Sequence, residues 1–154
     1  MLTMLTCLIT VGLSLRQPGN TPPSATLSLP RQIEAGKTVK AVLVVTFGPG
    51  LHAYQNPPTE SYMIPMVISS STKTTPITVA YPKGTEVKFE SEAQPIAVYE
   101  GTVKVPISFT APKKAGGFKL KLVVKYQQCT ESGCFPPGEV AVTVSTMVKA
   151  IKKP

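Results

Sequence analysis

Phe118-Lys119-Leu120-Lys121-Leu122-Val123-Val124-Lys125-Tyr126 decides the fold class. Apolar side chains at 118, 120, 122, 124 and 126 alternate with Lys119, Lys121, Val123 and Lys125. A period of two sets one face of a strand on a core and the other towards solvent. The same alternation recurs upstream, where Val39, Ala41, Leu43, Val45 and Phe47 interleave with Lys40, Val42, Val44 and Thr46. It recurs again at Val103, Val105, Ile107 and Phe109, and at Val140, Val142 and Val144. Shorter strands are expected at 25–29, 66–69, 77–80 and 85–89. Turn residues separate the runs, as in Glu34-Ala35-Gly36, Gly48-Pro49-Gly50, Pro82-Lys83-Gly84 and Ala115-Gly116-Gly117. No long helical pattern interrupts them. The expectation is an all-β domain, an immunoglobulin-like β-sandwich of about eight or nine antiparallel strands.

Composition agrees. Hydrophobic residues make up 42% and charged residues 16% of 154 residues, the balance of one folded domain rather than of a disordered chain. Sixteen prolines and eleven glycines favour short strands and turns over helices. The net charge of +8 raises nucleic acid as a partner. Yet Lys119, Lys121 and Lys125 alternate with apolar residues as a solvated strand face does, and no RNA-binding or zinc-finger signature accompanies them. Nucleic acid is not expected.

The N-terminal segment 1–16 is apolar to Leu15 and turns polar at Arg16. Its length suits a signal-peptide core better than a membrane span. A membrane anchor, or a lipid on Cys7, is the other reading of the same residues. The expected organisation continues with a Pro-rich linker at 17–24, the domain at 25–148 and a basic tail at 149–154. Export places the domain in a compartment where disulfides persist.

The densest chemical signal is Lys125-Tyr126-Gln127-Gln128-Cys129-Thr130-Glu131-Ser132-Gly133-Cys134-Phe135-Pro136-Pro137. The two cysteines flank a tight turn in which Gly133 supplies a positive φ. That arrangement brings Cα atoms within the ~4.4–6.8 Å a disulfide requires. A bond closing so short a loop gains only about 2 kcal/mol of loop entropy, whereas a staple evolved for stability links distant segments. Two readings stay open on spacing alone: a bond built to be opened, and an inert hairpin disulfide. Zinc is not expected, because the two cysteines and His52 leave a tetrahedral site one ligand short. Apart from Lys125 nothing cationic is placed by sequence beside either cysteine, and Glu131 disfavours a thiolate, so no strongly acidified thiol is expected. His52 is the one histidine, so any cysteine–histidine chemistry has to use it.

Tyr126-Gln127-Gln128-Cys129 through Cys134-Phe135-Pro136-Pro137 resembles the active-site stretch of the N-terminal domain of the thiol:disulfide interchange protein DsbD. Leu51-His52-Ala53-Tyr54-Gln55-Asn56-Pro57-Pro58, Tyr81-Pro82-Lys83-Gly84 and Val98-Tyr99-Glu100-Gly101 are similar to further landmarks of that family, in the same order. The resemblance implies a periplasmic immunoglobulin-like domain whose catalytic pair, Cys129 and Cys134, carries reducing equivalents without metal or organic cofactor. It implies a shielding loop over the pair, with Phe89 as the cap and Tyr54 and Tyr99 as its neighbours; on periodicity alone, Phe89 is in phase with Thr85 and Val87 and reads as a core residue. Implied partners are thioredoxin-like redox proteins, including those of cytochrome c maturation, and a membrane thiol reductase. The sequence carries neither a transmembrane bundle nor a Cys-x-x-Cys domain, so these partners are expected as separate chains, with the membrane reached only through an N-terminal anchor. The alternative from a different class is an exported immunoglobulin-like binding or assembly module whose hairpin disulfide is purely structural.

Overall fold

The computed structural model describes residues 21–90 and 92–151. The signal-like segment, Cys7 and the first part of the Pro-rich linker lie outside the described residues, as does the end of the basic tail. The described residues form thirteen strands and no helix: β1 (Ser24–Leu27), β2 (Gln32–Glu34), β3 (Thr38–Thr46), β4 (His52–Tyr54), β5 (Val67–Ser70), β6 (Ile77–Val79), β7 (Thr85–Val87), β8 (Ile96–Glu100), β9 (Thr102–Thr110), β10 (Gly116–Tyr126), β11 (Gln128–Thr130), β12 (Gly133–Cys134) and β13 (Gly138–Lys149).

Three sheets result, ordered β1-β3-β9-β6, β2-β13-β10-β5 and β12-β11-β4-β8-β7. The first two are the sandwich. In β3 the inward residues Val39, Leu43 and Val45 lie opposite Phe109, Val105 and Val103 of β9. From the other sheet Leu120, Leu122 and Val124 of β10 meet them in one continuous core, and Leu43, Val45, Val105 and these three are fully buried. Burying a side chain of that size contributes about 1.5–3 kcal/mol. The lysines between them face water, so the alternation read from the sequence is the alternation of the fold.

The architecture is all-β and immunoglobulin-like, with some differences from expectation. Several strands are only two to four residues long, which raises the number to thirteen, and β2 pairs in parallel with β13, at Met147–Gln32 to Lys149–Glu34. Short parallel edges leave no alternating pattern to detect. Gly116 and Gly117 also belong to β10 instead of forming a turn. Ser24, assigned to the linker, starts β1, and Pro23 beside it is buried.

The third sheet grows from the end of the sandwich. The β3–β9 ladder runs to Thr46–Thr102, skips 47–51 on one strand and Gly101 on the other, and resumes as β4–β8 at His52–Glu100. Gly101 makes this step with φ 57°, a conformation open to glycine at little steric cost, and its carbonyl accepts the Phe47 amide at 2.8 Å. In the same way the long β10–β13 hairpin crosses at Gln127 into β11 and β12. The extension is thus carried by strands from both layers of the sandwich.

Candidate functional site

Register places the chemistry. Cys134 pairs with Cys129, Cys129 with His52, and His52 with Glu100, so the four side chains form a row across β12, β11, β4 and β8 on one face. Cys129 and Cys134 are joined in a disulfide with Cα atoms 3.9 Å apart, closer than the hairpin reading anticipated. The hairpin turn is Glu131–Ser132. The Thr130 hydroxyl closes it, accepting the Ser132 amide at 3.3 Å and donating to the Gly133 carbonyl at 3.2 Å. Gly133 therefore stands in β12 without the positive φ expected of it, because the side-chain contacts of Thr130 shape the turn.

The two sulfurs differ in environment. Cys129 is 1% exposed, whereas Cys134 is an exposed residue, and both line a cleft of about 750 Å³. The Tyr54 hydroxyl lies 3.5 Å from Cys134 Sγ. Burial and the nearby Glu92 raise the Tyr54 phenol above its ordinary 10.0, so it stays protonated at neutral pH. Phe89 stacks on the His52 ring, with centroids 4.9 Å apart and planes at 28°, and lines the cleft with both cysteines.

A second small core holds this arrangement. On the same face, Tyr54 pairs with Val98 and Val87 with Ile96, and the buried Met63, Ile96 and Val98 pack with Tyr54, Val87 and Phe89. Ala97 and Tyr99, between them on β8, face the sandwich side. With both faces covered, Ile96 to Tyr99 are all buried, which explains their unbroken apolar sequence. The segment that carries Phe89 is tied to itself. The Lys88 ammonium donates to the carbonyls of Glu92 and Ala93, the Glu92 amide to the Phe89 carbonyl at 3.2 Å, and the Tyr62 hydroxyl to the Glu92 carboxylate at 2.8 Å.

Phe89 and Tyr54 thus stand with Cys129 and Cys134 at one cleft, while Tyr99 does not. It pairs with Ala53, one residue out of phase with His52 and Tyr54, and its side chain leaves by the opposite face. There its hydroxyl donates to the Pro82 carbonyl at 2.7 Å and anchors the 81–84 segment. Gly84 of that segment lies so close to β8 that an added Cβ would sit 2.7 Å from the Val98 carbonyl oxygen. Met63, Tyr62, Lys88 and Glu92 went unremarked in the sequence. Their roles come from a loop folding back over a sheet, which leaves no periodic trace. Among the described residues no cluster of three or more His, Cys, Asp or Glu suits a metal ion.

The model of the family "Thiol:disulfide interchange protein DsbD, N-terminal" matches residues 23–146. The chain belongs to this family. No match is found among curated proteins. Of solved structures, the N-terminal domain of Neisseria meningitidis DsbD in the reduced form is similar at 22% identity, covering 73% of this chain and 85% of that one, with a TM-score of 0.44. A family 123 glycoside hydrolase from Clostridium perfringens is similar at 9% identity, over 87% of this chain and 28% of its own, with a TM-score of 0.43. The PapD-like domain 7 of human CEP192 is similar at 16% identity, over 97% and 100%, with a TM-score of 0.42.

In this DsbD N-terminal domain the buried His52 has its pKa lowered from the ordinary 6.5 by desolvation, against the opposing pull of Glu100 and Glu131. The fold therefore favours the neutral ring. Below pH 6.5 the unfolded chain binds a proton that the folded chain resists, so this contribution to stability is complete above about pH 7 and is lost as pH falls towards the folded pKa. The loss cannot exceed about 1.4 kcal/mol per pH unit. Urea midpoints taken at pH 7.5 and 5.5 should fall for the native chain, and a His52→Phe variant should lose that part of the difference.

Proposed function

We propose that this domain relays reducing equivalents by opening and closing the Cys129–Cys134 bond. The observation that carries the reading is the asymmetry of the two cysteines, Cys134 an exposed residue and Cys129 a buried one. An incoming thiolate attacks the accessible Cys134 Sγ. A bond forms between that sulfur and the partner, the Cys129–Cys134 bond breaks, and its electron pair leaves on Cys129, which takes up a proton. A second thiolate of the partner then attacks the partner's own sulfur in the mixed disulfide, so that Cys134 leaves as a thiol, this chain holds two thiols and the donor holds a disulfide. Discharge reverses these steps on an acceptor disulfide.

Family membership supports thioredoxin-like proteins as partners and an extracytoplasmic, periplasmic place of work. On this reading the donor is a thioredoxin-like domain of a membrane thiol reductase. The acceptors are exported disulfides, among them those of cytochrome c maturation. Phe89 and Tyr54 act as the shield, limiting access to the bond until a partner displaces the loop.

Equilibration in defined thiol buffers tests the relay. Its expected potential lies between those of thioredoxin-like reductants and strong disulfide donors, roughly −270 to −120 mV. A value below about −300 mV is that of a structural bond and overturns the proposal.

A further inference from the structure

The relay just proposed makes a demand on Cys129 that its surroundings have to meet. To close the bond during discharge, Cys129 must act as a thiolate, yet it is 1% exposed and burial disfavours the charged form of a thiol. A base is needed beside it. His52 is its register partner on β4, on the same face and itself only 7% exposed. Directly paired residues of adjacent strands hold their Cβ atoms about 5 Å apart, within reach of an imidazole. The stacked Phe89 ring covers His52 on its other side.

The other polar groups facing this row do not serve as well. Glu100 of β8 pairs with His52 on the side away from Cys129. Glu131 belongs to the turn, and Glu90 and Glu92 line the cleft from the loop that carries Phe89. As carboxylates all four oppose a neighbouring thiolate while favouring an imidazolium. Tyr54 is turned to Cys134, and the Lys88 ammonium is occupied by the Glu92 and Ala93 carbonyls.

We propose that His52 is the general base for Cys129, taking its proton in the step that releases the acceptor. The Cys129 thiol gives its proton to the neutral imidazole. The resulting thiolate attacks Cys134 Sγ of the mixed disulfide, the Cys129–Cys134 bond forms, and the bond between Cys134 and the acceptor breaks. The electron pair leaves on the acceptor sulfur, which is protonated by the imidazolium or by water. Glu100 and Glu131 stabilise the transient imidazolium, and the neutral ring favoured at rest is the form that accepts a proton.

The role rests on the relay reading, so the assay must separate the two. Reduced protein is mixed with one equivalent of dithiobis-nitrobenzoate, whose thionitrobenzoate product is coloured. Attack by Cys134 releases one equivalent, and closure by Cys129 releases a second. In His52→Phe, which keeps an aromatic ring against Phe89, the first phase should be unchanged. The second should slow on the order of 10²-fold and lose its pH inflection in the imidazole range. His52→Gln should behave alike, and added imidazole should speed the second phase in His52→Ala. If the second phase of both His52→Phe and His52→Gln follows the native rate and pH profile, His52 has no such role, while the relay stands. If Cys134→Ser keeps the first phase, the order of attack is wrong and the role of His52 falls with it; a native chain that never shows a second phase overturns the relay itself.

Discussion

Cys129→Ser is expected to hold a thioredoxin-like partner that, on the relay proposed above, the native domain lets go. With the buried sulfur gone, Cys134 still attacks the partner's disulfide, but no thiolate remains on this chain to displace it. The expected product is a mixed disulfide that persists on a non-reducing gel and collapses on adding dithiothreitol. Cys134→Ser should give the opposite result. Its remaining thiol is 1% exposed, so adduct should be almost absent and turnover should fall to background. The contrast measures the asymmetry of the site. Equal adduct from the two variants would mean that the hairpin presents both sulfurs alike, and the assignment of Cys134 as the point of attack would then fail.

The second large effect concerns stability. Leu122 is fully buried at the middle of β10, opposite Val142 on one side and Ser70 on the other. Leu122→Ala removes its contacts and leaves a cavity between the layers, at an expected cost of about 2–5 kcal/mol. Set against a total of roughly 5–15 kcal/mol, this is a large fraction of the fold. Urea unfolding should show the midpoint falling with an unchanged slope, and the melting temperature should drop on the order of 10 °C. Because β10 continues into β11, the oxidised and reduced forms should both lose stability.

The sandwich was legible because its long strands each bury one face. Leu120, Leu122 and Val124 are apolar for the same reason that Lys119 and Lys121 are not, and a period of two records that choice directly. The cysteine hairpin was legible for a different reason: cysteines flanking a turn restrict geometry strongly, and the surrounding residues match a family. Two parts of the site escaped. The resemblance places Tyr99 beside Tyr54, but a single step of strand phase carries its side chain through to the other face. The second core under Phe89 depends on Met63 and Ile96, which lie thirty-three positions apart and meet only because 55–66 folds over the third sheet. Contacts of that kind need the register before they can be read.

The shortness of the disulfide loop, five positions from Cys129 to Cys134, has a consequence for both oxidation states at once. Folding and reduction close a thermodynamic cycle: whatever the bond adds to the stability of the fold, the fold returns to the bond. A loop this small adds only about 2 kcal/mol, which converts to about 45 mV between the folded pair and the same pair in an unfolded chain. The sandwich therefore neither locks the bond shut nor depends on it. On the relay proposed above, electrons enter and leave over a scaffold whose own equilibrium hardly registers their passage.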